Sequence, residues 1–408
     1  MTKALDGVVV LDFSRVLAGP YCTMVLADLG ADVIKLERAG AGDDLRQWGP
    51  PFMPDGESTY FLSVNRNKRS IALDLKTSSG RDLALSLVRK SDVVIENFRP
   101  GVMRKMGLDY ETLSQLNPRL IYTSITGYGA TGPWTTRRAY APVVNAESGI
   151  TKHQGDVRGG QYANDPHSHG DVYTALEAAS AILAALYQRE QTGVGQYIDV
   201  SMAETMLYVN EHAHNQMWTG VEPVGEIRSF QPADYPVLTV ADGSMVVVSG
   251  HPAERGTFDY FVAAMQQPEL LSDPRFSDVA TRLEHFDELM DIMKAWAKTV
   301  PTSDEIENRL SQYQLATGRL RSVGELADTE WAREREAVVL VSDRGDGSVR
   351  IPNSPWHFSG SDTTTQGDAK YRGEDNHAIF SEIAGLSNEE ITQLENDGVL
   401  LSRGPSKR

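Results

Sequence analysis

The sequence predicts an α/β fold built on a mostly parallel sheet, and three observations carry the prediction. Short apolar runs of strand length recur through the first 200 residues. Stretches of helical periodicity separate them, and glycine or proline punctuates the junctions. Alternation of this kind implies parallel strands with helices on the sheet's faces, because each crossover must travel over the sheet.

Residues 8–11 (Val-Val-Val-Leu) open the series. A helix follows with Pro20 in its first turn and Met24, Leu26 and Leu29 along it; Gly30 stops it at the position that favours a left-handed backbone. Residues 33–36 (Val-Ile-Lys-Leu) form the next strand, closed by Glu37. Strand, helix, strand and acid imitate a dinucleotide-binding unit. The loop lacks the Gly-x-Gly-x-x-Gly through which backbone meets a pyrophosphate, which argues against nicotinamide. Further strands are read at 70–75, 92–96, 120–125 and 196–200, with helix between them, as at 80–90. The three glycines and one proline of 127–133 make a shaped loop. Beyond residue 220 the character changes. Residues 225–236 are turn-rich, 238–249 read as two short strands around Ala241-Asp242-Gly243-Ser244, and helical segments run from about 257 to 312. A smaller central domain is expected at 225–325. Residues 351–355 read as the start of an irregular tail, and Ser387 with Glu390 caps a last helix over 388–396.

Composition narrows the partners. A net charge of −17 disfavours nucleic acid and anionic membrane surfaces, and the sequence has no apolar run long enough to span a bilayer. The single cysteine, Cys22, reads as a small core residue and suits a reducing cytoplasm. The histidines show no metal-ligand spacing, so no metal is expected. Charge is uneven, however. Between Arg66 and Lys105 stand ten bases against four acids, a basic island that suits a small polyanion.

The stretch from His169 to Leu186 reads as about five turns of helix. Val172, Ala175, Leu176, Ala179, Ile182, Leu183 and Leu186 make one apolar face, and further alanines keep the other faces thin. Asp171 lies at its start, where by itself it reads as a cap accepting from first-turn amides.

Together these stretches resemble the family III CoA-transferases, the group that includes formyl-CoA and carnitine CoA-transferases. The resemblance runs nearly end to end. It rests on Leu5-Asp6-Gly7, Val10-Leu11-Asp12, Ala18-Gly19-Pro20, Leu-Gly-Ala-Asp-Val-Ile-Lys-Leu-Glu at 29–37 and Asn-Arg-Asn-Lys-Arg-Ser at 65–70. It continues through Leu73-Asp74-Leu75-Lys76, Glu-Asn-Phe-Arg-Pro-Gly at 96–101, Gly127-Tyr128-Gly129 and Thr-Gly-Val-Gly-Gln at 192–196. The family's nucleophile is an aspartate in a Gly-Asp pair opening a helix, which implies Asp171 here. The resemblance further implies a large Rossmann-like domain made from both chain ends (1–200 and 351–408) and a small α+β domain (225–325), with connecting segments at 201–224 and 326–350. It implies an interlocked homodimer. CoA or acyl-CoA, the substrate, is expected along Val16, Leu17, Ala18, Arg38, Leu73, Asp74, Leu75, Lys76, Asn97, Phe98, Arg99, Lys105, Arg137 and Tyr140. The implied chemistry moves CoA to a carboxylic acid through a mixed anhydride and an aspartyl-CoA thioester. Oxyanion donors are expected near Gly170 and in the 127–132 loop.

Two departures bear on substrate. Leu17 replaces a glutamine of formyl-CoA transferase, and Glu-Ile-Arg-Ser-Phe at 226–230 replaces its glycine run, so oxalate is disfavoured as acceptor. Within the replaced segment, Arg228 is a candidate for a distal carboxylate, with Tyr140 a second candidate substrate contact. The alternative is an acyl-CoA racemase of the same superfamily. Those enzymes carry a His-Asp pair where this chain has Tyr140-Ala141, which leaves the racemase reading one base short.

Overall fold

Six β-branched runs pair into one parallel sheet in the computed structural model, which describes residues 2–220, 232–363, 365 and 367–403. The strands are β1 (Val9–Asp12), β2 (Asp32–Arg38), β3 (Arg69–Leu73), β4 (Val93–Glu96), β5 (Ile121–Thr126) and β6 (Tyr197–Ser201). Their order is β3-β2-β1-β4-β5-β6, every neighbour parallel. The helices of this region are α1 (Ala18–Asp28), α2 (Thr59–Asn65), α3 (Ser78–Val88), α4 (Val102–Met106), α5 (Tyr110–Leu116), α6 (Ala141–Glu147), α7 (Ile150–Val157) and α8 (His169–Thr192).

Alternation along the strands sorts the two faces. Val10 lies beside Val33 and Val93, and these residues join Cys22 and Leu26 of α1 and Ala175, Ala178, Ala179 and Ile182 of α8 in one core. The alanines of α8 let α1 and α8 pack on each other above the strands. Leu11, Ile34 and Val94 point the other way, into a core with Leu83 and Leu87 of α3 and Leu113 of α5. Ile379, Phe380 and Ile391, from helices Asn376–Glu382 and Asn388–Asn396, complete that second face, so both ends of the chain build it. The last helix carries the expected capping box between Ser387 and Glu390.

The chain divides into two compact units, residues Met1–Trp218 with Arg333–Arg408 and residues Thr219–Ala332. The second unit holds a three-stranded antiparallel sheet of β7 (Val237–Thr239), β8 (Met245–Val248) and β9 (Thr317–Arg319), packed by Phe258, Phe261, Phe276, Met293 and Trp296. The helical run expected from 257 to 312 is broken into Thr257–Met265, Val279–Glu284, Phe286–Ala297 and Ser303–Ser311, with prolines 268 and 274 interrupting it.

One sequence boundary shifts. Residues Ser348–Pro352 form a strand, β11, antiparallel to β10 (Val338–Ser342), so the irregular segment read from 351 starts after Pro352. Asp343 makes the connecting turn by accepting the amides of Gly345 and Gly347. No helix among the described residues is long and apolar enough to cross a membrane.

Candidate active site

In a sheet ordered 3-2-1-4-5-6, the connections after β1 and β4 leave in opposite directions and open a crevice at the carboxyl ends of these two strands. The turns that leave β1 and β4 line it. Gly19 lets the first turn fold tightly against α1, since a Cβ there would stand 2.1 Å from that of Ser14. Asp12, Lys35, Asp43 and Lys68 lie buried beneath the crevice. Lys35 Nζ is 2.9 Å from Asp43 Oδ2, and Lys68 Nζ is 3.3 Å from Asp12 Oδ2. Burial works against each charge. The neighbouring ammonium groups hold Asp12 below its ordinary value, whereas burial brings Lys68 down to about 8.

Asp171 enters the crevice from the first turn of α8. It is not the helix cap that its position suggests. Ser168 holds the N-cap position, and no side chain caps the helix. The amides acting on the Asp171 carboxylate come from elsewhere, from Ala18 and Ala141. Each is the first residue of its helix, α1 or α6, where an N–H has no partner within the helix. These two amides are distinct from those near Gly170 and in the 127–132 loop that the sequence offers as oxyanion donors. Burial pushes the Asp171 carboxyl up to about 6, with the two amides acting in the opposite direction. At neutral pH it is mostly ionised, and it is poorly solvated, a condition that favours nucleophilic attack. The Tyr60 hydroxyl is pushed up by burial and by the charge of Asp171.

Two adjoining cavities share Arg15 and Phe98. The inner one, about 150 Å³, holds Asp171 together with Val16, Ala18, Asn97, Phe98, Arg99, Arg137 and Tyr140. The outer one, about 500 Å³, is lined by Arg38, Leu73, Asp74, Leu75, Lys76, Phe98 and Lys105. Lys76 and Lys105 have no carboxylate partner among the described residues. Arg38 is already engaged, donating to the Gly42 carbonyl at 2.8 Å and to Asp44 at 2.6 Å. Arg137 pairs with Glu147 and stacks on Tyr128 and Trp134. Leu17 lines neither cavity; its side chain is buried against Leu45, Phe61 and Val64. Arg228 lies outside the described residues.

The basic island divides by environment. Arg66 is buried against Asp28, Lys68 against Asp12, and Arg69 pairs with Asp32, so these three hold the fold. Lys76, Arg81 and Lys105 face the outer cavity. Glu37, the acid that mimics a nucleotide-binding residue, is buried and paired with Arg46, which holds its carboxyl down at about 2 against the cost of burial. Sequence reasoning missed Arg15 and Tyr60. It also missed Asp165, His167 and His169, exposed or half-buried groups whose ligand atoms gather within 4.8 Å of one another just before Asp171.

Comparison with known proteins shows the chain's family. The profile described as CoA-transferase family III matches residues 5–376. The chain is 32% identical to succinyl-CoA–D-citramalate CoA-transferase of Chloroflexus aurantiacus, over 98% of each chain. It is 36% identical to succinyl-CoA:mesaconate CoA-transferase of Haloarcula hispanica, over 86% of this chain and 89% of the other. A CAIB/BAIF family protein from Brucella suis superimposes with a TM-score of 0.81 at 33% identity, covering 94% of this chain and all of that one. A match spanning both units and the crevice leaves one assignment: the chain belongs to CoA-transferase family III.

Proposed function

We propose that this enzyme moves CoA from an acyl-CoA to a carboxylic acid through covalent intermediates on Asp171. The observation that carries the reading is Asp171 itself, a half-buried carboxylate with a pKa of about 6, facing two helix-start amides in the inner of two joined cavities. An Asp171 oxygen attacks the donor thioester carbonyl. The C–S bond breaks, CoA thiolate leaves, and an acyl-aspartyl anhydride remains. The thiolate then attacks the aspartyl carbonyl, releasing the donor's carboxylate and leaving an aspartyl-CoA thioester. The acceptor carboxylate attacks that thioester, giving a second anhydride and CoA thiolate. Attack of the thiolate on the acceptor's acyl carbon completes the new thioester and frees Asp171. Each step passes through an oxyanion, and where the aspartyl carbonyl is attacked it forms on an Asp171 oxygen, the group on which the amides of Ala18 and Ala141 act.

The outer cavity, with Lys76 and Lys105, takes the nucleotide end of CoA, and the backbone of residues 16–18 together with Phe98, Arg99, Arg137 and Tyr140 lines the path of its thioester arm inward. The relatives' names support a donor and an acceptor that carry a second carboxylate, as succinyl, citramalyl and mesaconyl groups do. Arg228 is the proposed partner of that distal carboxylate, with Tyr140 beside the reacting group. The working unit is an interlocked homodimer, and its compartment is the cytoplasm, which suits the free buried thiol of Cys22.

Asp171→Asn tests the reading. The variant should fold and bind acyl-CoA yet lose at least about a thousandfold in kcat. An active Asp171→Asn enzyme would overturn the mechanism. A racemase would instead exchange the α-proton of an acyl-CoA in deuterated water with no acceptor present.

A further inference from the structure

The turn that delivers Ala18 to the crevice holds an unusual backbone. Val16 has a φ of 63°, in the left-handed region that a β-branched residue rarely enters. Such a conformation persists only where its surroundings over-determine it. Here they do. The Ser14 amide donates to Asp12 Oδ1 at 2.8 Å, and Lys35 Nζ donates to the Ser14 carbonyl at 3.0 Å. The Arg15 amide donates to Asn97 Oδ1 at 2.9 Å, while Asn97 Nδ2 donates back to the Arg15 carbonyl at 2.7 Å. The Val16 amide donates to Asp43 Oδ1 at 3.1 Å. Side chains of β1 and β2 and of the turns after β2 and β4 thus hold the polar backbone groups on the way into Val16. Two residues further on, Ala18 shares the inner cavity with Asp171, and its amide acts on that carboxylate.

We propose that Asn97, with Asp43 behind it, is a positioning residue that locks the left-handed Val16 turn and so aims the Ala18 amide at Asp171. The inference rests on the transferase reading and adds to it. Asn97 lines the inner cavity, but both polar atoms of its amide are committed to the Arg15 main chain. Through these two bonds its effect on the reaction passes by way of the turn. Asp43 has a comparable place. Its Oδ1 accepts from Val16 and Leu45, and Lys35 balances its charge from below.

Asn97→Ala removes the clamp at a half-exposed site, so the fold should survive. The expected result is a loss of about tenfold or more in kcat with the KM for acyl-CoA changed less than about threefold. The Ala18 amide acts to lower the Asp171 pKa, so a misplaced amide should also move the acid limb of the kcat/KM profile upward. Arg15, Arg99, Arg137, Arg138 and Tyr140 are the other titratable groups lining this cavity, Tyr60 also feels the charge of Asp171, and Asn97→Ala deletes none of their charges. Glycine occupies the left-handed region without penalty, so Val16→Gly in the Asn97→Ala background should recover part of the lost kcat. Asn97→Asp, which keeps the acceptor for Arg15 and loses the donor, should fall between wild type and Asn97→Ala. A raised KM with unchanged kcat and an unmoved acid limb would show that Asn97 binds ligand, and would overturn the proposal. So would a kcat loss that Val16→Gly leaves untouched while the acid limb stays in place. Asp171→Asn assayed in parallel separates the two ideas, because activity there sinks the nucleophile and leaves the Asn97 result to be read on its own.

Discussion

Gly170 and Ala141 approach so closely that a Cβ built on the glycine would stand 3.4 Å from the alanine's Cα. That distance explains why the Gly-Asp pair matters as a pair. Asp171 supplies the carboxylate, and the missing side chain at Gly170 lets the start of α6 come near enough for the Ala141 amide to act on it.

Gly170→Ala should therefore separate activity from stability. The new methyl would meet Asn145 Oδ1 at 3.2 Å and the Ala141 Cα at 3.4 Å, so the Asn145 side chain, or α6 with it, gives way by a few tenths of an ångström. Alanine in a helix is worth up to about 1 kcal/mol over glycine, which offsets much of the crowding. We expect kcat to fall about tenfold while Tm stays within about 3 °C of wild type, measured by coupled assay and calorimetry.

The ionisation of Asp171 makes a second pair of observables. The nucleophile must be charged, so kcat/KM should climb with pH through about 6 and level off above about 7. Stability should run the other way. A carboxyl raised from 3.8 to about 6 on folding favours its neutral form in the native state, so native stability falls as pH rises through that window. Asp171→Asn, neutral at every pH, should thus melt above wild type at pH 7, and the gap should close below about pH 4. Thermal melts at both pH values check this.

Lys76 faces the outer cavity, some way along the crevice from Asp171, and has no acidic partner among the described residues. Lys76→Ala should raise the KM for acyl-CoA about tenfold, worth about 1.4 kcal/mol, and should flatten its dependence on ionic strength. A pantetheine thioester, which lacks the nucleotide, should be used equally well by both enzymes.

Arg228 makes a prediction from sequence alone, since it lies outside the described residues. Arg228→Ala should raise the KM for a dicarboxylic acceptor about tenfold and leave the acyl-CoA donor within about twofold. Equal effects on both substrates, measured by initial rates, would count against the assignment.

Much of this architecture is legible in the sequence, and the exceptions have physical causes. The six parallel strands follow from apolar runs that need burial on both faces. Cys22 takes the core position expected of it. What escapes local reading is partnership across long separations. Arg66, Lys68 and Arg69 look like a polyanion site until Asp28, Asp12 and Asp32 are seen beside them. Ala141 carries no chemical signal and Ala18 enters only through the family resemblance, because each offers Asp171 a backbone amide at a helix start. Val16 hides its left-handed turn behind a residue type that normally avoids one. The hairpin of β10 and β11 is different: Val-Val-Leu-Val-Ser followed by Asp-Arg-Gly-Asp-Gly carries an ordinary strand-and-turn signal.

The central claim is that Asp171 becomes acylated during turnover, and trapping tests it most directly. Wild-type enzyme is incubated with acyl-CoA and no acceptor, treated with hydroxylamine or borohydride, digested and mapped by mass spectrometry. The account predicts a single modified carboxylate, at Asp171, that is absent from Asp171→Asn. Modification at a different carboxylate, or none under conditions of full turnover, would contradict it.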